Sequence, residues 1–153
     1  MITDWQVVAV AVGIVAAAIN AGAFFTFSNF VMPALGTLPR AEGAAAMQAI
    51  NTAAPNPTFV AAIVGAGLVT VPVVVTEWGH LDESAIALVT AGAALSLASL
   101  AITVAANVPR NDALDRVDPA SPSGQDYWAA YLVGWTRWNT LRTLTSTASA
   151  LLY

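Results

Sequence analysis

Cysteine is absent, and histidine occurs once, at His80. Disulfides, thiolate metal sites and cysteine nucleophiles are therefore excluded, and no imidazole cluster can hold zinc, copper or haem. No metal and no cofactor is expected. Lysine is absent as well; the cations are Arg40, Arg110, Arg116, Arg137 and Arg142. With a formal net charge of -4 the chain has no basic footprint for a phosphate backbone, so nucleic acid is not an expected partner. Charged residues are only 9% of the 153 residues and apolar ones 58%. Typical soluble domains carry about 25% charged and roughly 45–50% apolar residues. So little charge cannot clad a water-facing surface, which excludes an ordinary soluble globule and a disordered chain.

The apolar residues are gathered into long runs. Stretches 5–39, 43–76 and 84–109 hold no charge, and 127–153 holds only Arg137 and Arg142. Crossing a ~30 Å hydrocarbon core takes roughly 20 residues of helix. The sequence therefore predicts a single all-α domain, an integral membrane four-helix bundle spanning about 5–32, 57–76, 84–106 and 128–152. Pro33 and Pro39 are expected to end the first span, because a proline pushes its predecessor out of helical geometry. Residues 41–54 read as a short interfacial helix, 77–83 as a tight turn, and 107–126 as a loop at the water surface. The first run lacks a basic leader and exceeds the roughly 7–15 residues of a signal core, so a span rather than a cleaved peptide is expected. Trp5, Trp78 and Tyr153 are placed at one membrane face, and Tyr127, Trp128 and Tyr131 towards the other. Arg40, Arg110 and Arg116 share one side, which predicts cytoplasmic loops there and both termini outside. Gly65, Gly67 and Gly92 permit close packing within or between chains, so a homo-oligomer is compatible with the sequence.

Two stripes indicate which faces look inward. Gly92, Ser96, Ser99, Thr103 and Asn107 recur at helical spacing on the third span and suit close helix packing. Trp128, Tyr131, Trp135, Trp138, Asn139, Arg142 and Ser146 fall near one line of the fourth. Arg142 lies roughly 21 Å along the helix from Trp128, near mid-membrane. An arginine there costs at least about 2.5–3.5 kcal/mol and must face the bundle or a wet cavity. No span contains Asp or Glu, so its partner is either Asn side chains and carbonyls, as a structural tie, or an anionic or enolisable ligand. Arg137 points the opposite way and is read as structural. On the first span Asn20, Phe24 and Phe27 share a line, with Asn20 at the depth of Asn139 and Arg142. A few convergent polar groups in an apolar wall are what a pocket needs. His80, in the outer turn, is read as a surface residue.

Four segments carry a resemblance. Gly22 to Leu35, with Phe24, Phe27, Ser28, Asn29, Met32 and Pro33, resembles the first-helix motif of the anthrone-oxygenase-like membrane family. Ala46-Met47-Gln48-Ala49-Ile50-Asn51, followed by Pro57 and Phe59, is similar to its second motif. Asn107, Pro109, Asn111 and Asp112 resemble its Asn-x-Pro-x-Asn loop. Trp135, Trp138, Asn139, Arg142 and Thr143 resemble its Trp-x-x-Trp-Asn-x-x-Arg-Thr signature. The resemblance implies a four-helix membrane protein, in a family whose members are mostly bacterial, and hence a plasma-membrane location. Some members oxidise an anthrone to an anthraquinone with O₂.

It further implies a cofactor-independent monooxygenase acting on an anthrone-like or other lipophilic phenolic substrate. The partners would then be membrane lipid, a lipophilic aromatic small molecule and O₂. Arg142 and Asn139 would stabilise the enolate oxygen, and Asp112 would serve as base if its loop folds inward. Phe24, Phe27, Trp135 and Trp138 would wall the site, with Asn20, Gln48, Asn51, Asn107 and Asn111 orienting substrate or peroxide. The same residues also suit a non-catalytic membrane protein that binds or moves a small lipophilic ligand such as a quinone. Stripes that only bond helices together are the third reading.

Overall fold

The computed structural model describes residues 4–78 and 82–153; His80 lies outside the described residues. Among them there are five helical runs and no strand. Helix α1 is Asp4–Thr37. The short α2 is Arg40–Ala53. Helix α3 is Pro57–Glu77, and α4 is Glu83–Asp115. The last, α5, is Pro122–Leu152. Helices α1, α3 and α4 are long and apolar enough to cross a membrane by length and composition.

Two helices outrun their expected ends for one shared reason. Pro33 does not stop α1, and Pro109 does not stop α4. A helical proline lacks its N–H, and its ring presses on the carbonyl four residues back. Each of these prolines follows a turn of π-helix, Phe27–Val31 and Thr103–Asn107. There the N–H of Met32 reaches back five residues to the Phe27 carbonyl, and that of Val108 to Thr103. The wider turn makes room for the ring, and such turns are frequent at functional sites. Helix α1 ends instead before Pro39, where Leu38 is extended. The expected 107–126 loop shrinks to the residues between α4 and α5. Caps sharpen the other starts. Asn56 accepts from the Phe59 N–H at 3.0 Å and Ser121 from that of Gly124 at 3.0 Å. Asp82 accepts from Ser84 and Ala85, and those two backbone bonds hold its carboxyl below the usual range.

The long helices alternate in direction. Helix α5 lies along both α4 and α1, and α3 packs on the other side of α1 and α4. Along the α4–α5 seam Ser96 bonds Ser149 at 2.7 Å and Ser99 bonds Ser146 at 2.9 Å. Ser149 also donates to the Gly92 carbonyl at 2.8 Å. Small hydroxyl residues thus do what the third-span stripe predicts, at about 0.6 kcal/mol per bond in a bilayer. Gly67 and Gly92 are spent inside the chain, against Leu97 and the Tyr153 ring.

One aromatic, Tyr153, departs from the expected interfacial belts, while Trp128 and Tyr131 turn inward as their stripe on the fourth span predicts. Tyr153 is not outside with Trp5 and Trp78. It inserts between helices, bonding Thr70 at 2.8 Å and the Ala66 carbonyl at 3.1 Å. Trp128 and Tyr131 are buried, stacked in a column with Trp135 at ring separations of 5.6 and 6.1 Å. Met32, Met47 and Leu114 pack around this column beneath α2.

Candidate functional site

The π turns and α2 enclose a cavity of about 260 Å³. Phe24 and Phe27 of α1, Phe59 and Ile63 of α3, and Trp135 of α5 form its apolar walls. Met47, Ile50 and Asn51 of α2 roof it. Thr103, Asn107 and Asn111 of α4 face Asn139 and Arg142 of α5 across it. Val60 and Val108 line it while remaining 45% and 42% exposed, so it opens outward between α3 and α4.

Arg142 is only 5% exposed. Its Nη2 donates to Asn139 Oδ1 at 2.7 Å and its Nη1 to Thr103 Oγ1 at 3.3 Å. Its Nε has no partner. A guanidinium offers five N–H donors, so these two bonds leave most of them unused. The group also sits 4.1 Å from the Phe24 ring centre and 5.4 Å from that of Trp135, where ring faces favour a cation. No carboxylate is among the cavity's lining residues. The only ion pair among the described residues is the exposed Arg40–Asp126 contact. Arg142 is therefore a buried cation with spare donors and no counter-charge, in an apolar chamber.

Asn139 holds this arrangement in place. Its Nδ2 donates to the Phe24 carbonyl at 2.6 Å and to Ser28 Oγ at 2.7 Å, as α1 approaches its π turn. Its amide oxygen is thereby left for Arg142. Asn111 is held by two donors, the Tyr131 hydroxyl at 2.8 Å and the Trp135 indole at 2.7 Å. Gln48 ties α2 to the end of α4 and the turn after it, through the carbonyls of Leu114 and Val117, at 2.8 and 3.0 Å. Asn51 does the same through Asp115, at 3.2 Å.

A family model described as Anthrone oxygenase matches residues 47–152. The chain belongs to the anthrone oxygenase family. No curated protein and no solved structure matches it. The anthrone oxygenase match takes in the roof residues from Met47 onward and all of α3, α4 and α5. Phe24, Phe27 and Asn20 precede it, and their place rests on this chain's own geometry.

In this anthrone oxygenase family member the cavity gathers Phe24, Phe27, Asn51, Asn107, Asn111, Trp135, Asn139 and Arg142 from the expected set. Four expected residues stay outside its lining. Asp112 is exposed on α4, one residue and roughly 100° round from Asn111, so it does not reach the cavity as a base. Trp138 is 37% exposed and lies beneath the Arg110 guanidinium, because position 138 falls at the edge of the buried stripe. Asn20 is buried one turn deeper, donating to the Ala62 carbonyl at 2.9 Å. Gln48 is occupied by its two carbonyls.

The sequence reading misses Phe59, which meets Phe24 edge-on at 6.3 Å, and gives Thr103 only a packing role. Phe59 stands in the quoted second motif, and Thr103 sits one turn before Asn107, so a signal was present for both. Arg137 is exposed on the far side of α5, as expected. Arg137→Leu is expected to change melting temperature and ligand affinity little, within about 0.5 kcal/mol. An effect as large as that of altering Arg142 would show that the inward face of α5 is misassigned.

Proposed function

We propose that the four long helices form a membrane-embedded bundle with α2 lying at the interface. We also propose that its cavity oxidises an enolisable, anthrone-like ketone with O₂, independently of metal or cofactor. The end of the bundle bearing Arg40, Arg110 and Arg116 faces the cytoplasm in this reading, and both termini lie outside. The observation that carries it is Arg142, a buried cation with unused donors among flat aromatic walls. Family membership supplies the reaction class. At about 260 Å³ the cavity falls just below the ~300 Å³ lower end of ligand pockets, which favours a compact fused-ring molecule over a long-tailed lipid.

The residues divide the work as follows. The ketone oxygen docks on the free N–H groups of Arg142, with Phe24 and Trp135 against the ring faces. Loss of a methylene proton moves charge onto that oxygen. Donors already aimed at developing charge in a dry site are usually the largest catalytic contribution. Asn139 keeps the guanidinium in register. The proton leaves through the roof, past Asn51 to the exposed Asp115 that it bonds. The enolate passes one electron to O₂, and the resulting radical and superoxide join at the former methylene carbon. The peroxide takes up a proton and loses water, leaving a second carbonyl. One ketone and one O₂ give one quinone and one water.

The test is turnover of a model anthrone under air by metal-stripped, detergent-purified protein. Quinone formation matched one to one by O₂ uptake is the expected result. Tight binding of anthrone and quinone without turnover would replace the enzyme by the quinone-binding alternative. Absence of both binding and turnover would defeat the functional reading altogether.

A further inference from the structure

Two arginines outside the cavity meet on the outer face of α5. Arg110, half-buried near the end of α4, lies across one turn of α5. Its guanidinium sits 5.9 Å from the Trp138 ring centre, and its Nε stands 3.5 Å from where a Cβ on Gly134 would be. Arg137 is exposed on that same turn, between Gly134 and Trp138 in sequence. Positions three apart on a helix are neighbours, about 5–6 Å between Cβ atoms, so both long side chains can reach one patch of surface. Arg110 uses its Nη1 on the Ala106 carbonyl at 2.7 Å, one of the five N–H donors a guanidinium offers. Neither cation has a carboxylate, since the only ion pair among the described residues joins Arg40 to Asp126.

Depth says what could answer these charges. Ser99 is the midpoint of α4, Glu83–Asp115. Arg110 lies about 17 Å beyond it along the helix. Half of a ~30 Å hydrocarbon core is about 15 Å, so in the bundle proposed above Arg110 stands just past the acyl chains, among the headgroups. Arg137 is one turn deeper, and an arginine stem extends towards that level while its head stays polar. Tryptophan favours the same level, as Trp138 does here. Like charges this close repel, and an anion between them removes the repulsion. The planar fork of arginine matches phosphate oxygens. We propose that Arg110, Arg137 and Trp138 form a binding site for the headgroup phosphate of an anionic phospholipid, in the leaflet at the α2 end. A zwitterionic headgroup would bring a cation of its own to a patch where no carboxylate is paired. The site rests on the proposed embedding of the bundle and is independent of the oxidation reaction.

The experiment titrates detergent-purified protein with phosphatidylglycerol, with phosphatidylcholine of the same acyl chains, and with inorganic phosphate. Native mass spectrometry counts bound lipid, and melting reports stabilisation. Phosphatidylglycerol is expected to bind about tenfold tighter than phosphatidylcholine and to raise the melting temperature, while inorganic phosphate leaves it unchanged. Arg137→Leu and Arg110→Leu are each expected to cut the preference about fivefold. Arg116→Leu removes an exposed cation beyond the end of α4, outside the patch, and should leave the preference intact. An equal loss in Arg116→Leu would replace the site by diffuse attraction and overturn the inference, as would equal affinity for the two lipids. The same stabilisation by inorganic phosphate would give the patch to a free anion and overturn the lipid assignment. Should Arg110→Leu fail to fold, Arg137→Leu decides, because that side chain is exposed. Protein that resists a carbonate wash of the membrane yet shows no lipid preference overturns this inference alone. Protein released by the wash overturns the embedding on which it rests.

Discussion

Arg142→Leu is expected to lower kcat/KM for a model anthrone by at least about a hundredfold, and to weaken ligand binding in step. The protein should still fold and enter the membrane. The guanidinium has no carboxylate partner, only Asn139, Thr103 and two ring faces. Removing an uncompensated charge from an apolar interior relieves a cost of roughly 2.5–3.5 kcal/mol, against which two hydrogen bonds are lost. Melting in detergent should therefore be unchanged or higher. Arg142→Lys keeps the charge but not the planar fork of donors, and should fall between the two. If the leucine variant fails to accumulate in the membrane, the arginine is a structural tie and the functional reading loses its support.

Gly43→Ala is expected to unseat the roof. Gly43 lies where α2 meets the end of α1 and the start of α5. A Cβ there would stand 2.7 Å from the Leu35 carbonyl oxygen and 2.9 Å from the Trp128 indole nitrogen. Neither yields easily, since one is backbone and the other belongs to a fully buried ring. Overpacking of this kind costs about 1–3 kcal/mol. Because α2 carries Met47, Ile50 and Asn51 over the cavity, the same methyl should admit water and lower turnover. Melting with and without bound anthrone reads both effects. Unaltered melting and turnover would show that α2 is seated more loosely than the structure has it.

Much of this is legible in the sequence. Charge-free runs long enough to cross a bilayer announce helices α1, α3 and α4. The spacing of Trp128, Tyr131, Trp135, Asn139, Arg142 and Ser146 gives the buried face of α5, because a helix has one period and a buried arginine has few places to go. Helix ends were harder. A proline reads as a stop, but whether a wider turn ahead of it will absorb the ring depends on packing around Phe27 and Thr103. Trp138 shows the limit of a helical wheel, which gives an angle but not how far a neighbouring helix reaches. Asp112 shows another: a neighbour of the cavity residue Asn111 in sequence points elsewhere in space. Tyr153 is ambiguous in sequence because an aromatic near an end suits both an interface and a gap beside glycine, and only the partners Gly13, Gly92 and Thr70 decide it.

The outward-facing valines at the cavity mouth, Val60 and Val108, have a bearing on how the protein is supplied. In a bundle embedded as proposed, a mouth that opens between α3 and α4 would draw on the oily phase around the helices rather than on the buffer. Occupancy is then set by moles of ligand per mole of lipid. Spreading the same ligand through twice as much bilayer should about halve the unsaturated rate, although its concentration in the tube is unchanged. A sparingly water-soluble compound, nearly all of it dissolved in the membrane, would meet the site at high local abundance without ever crossing an aqueous gap.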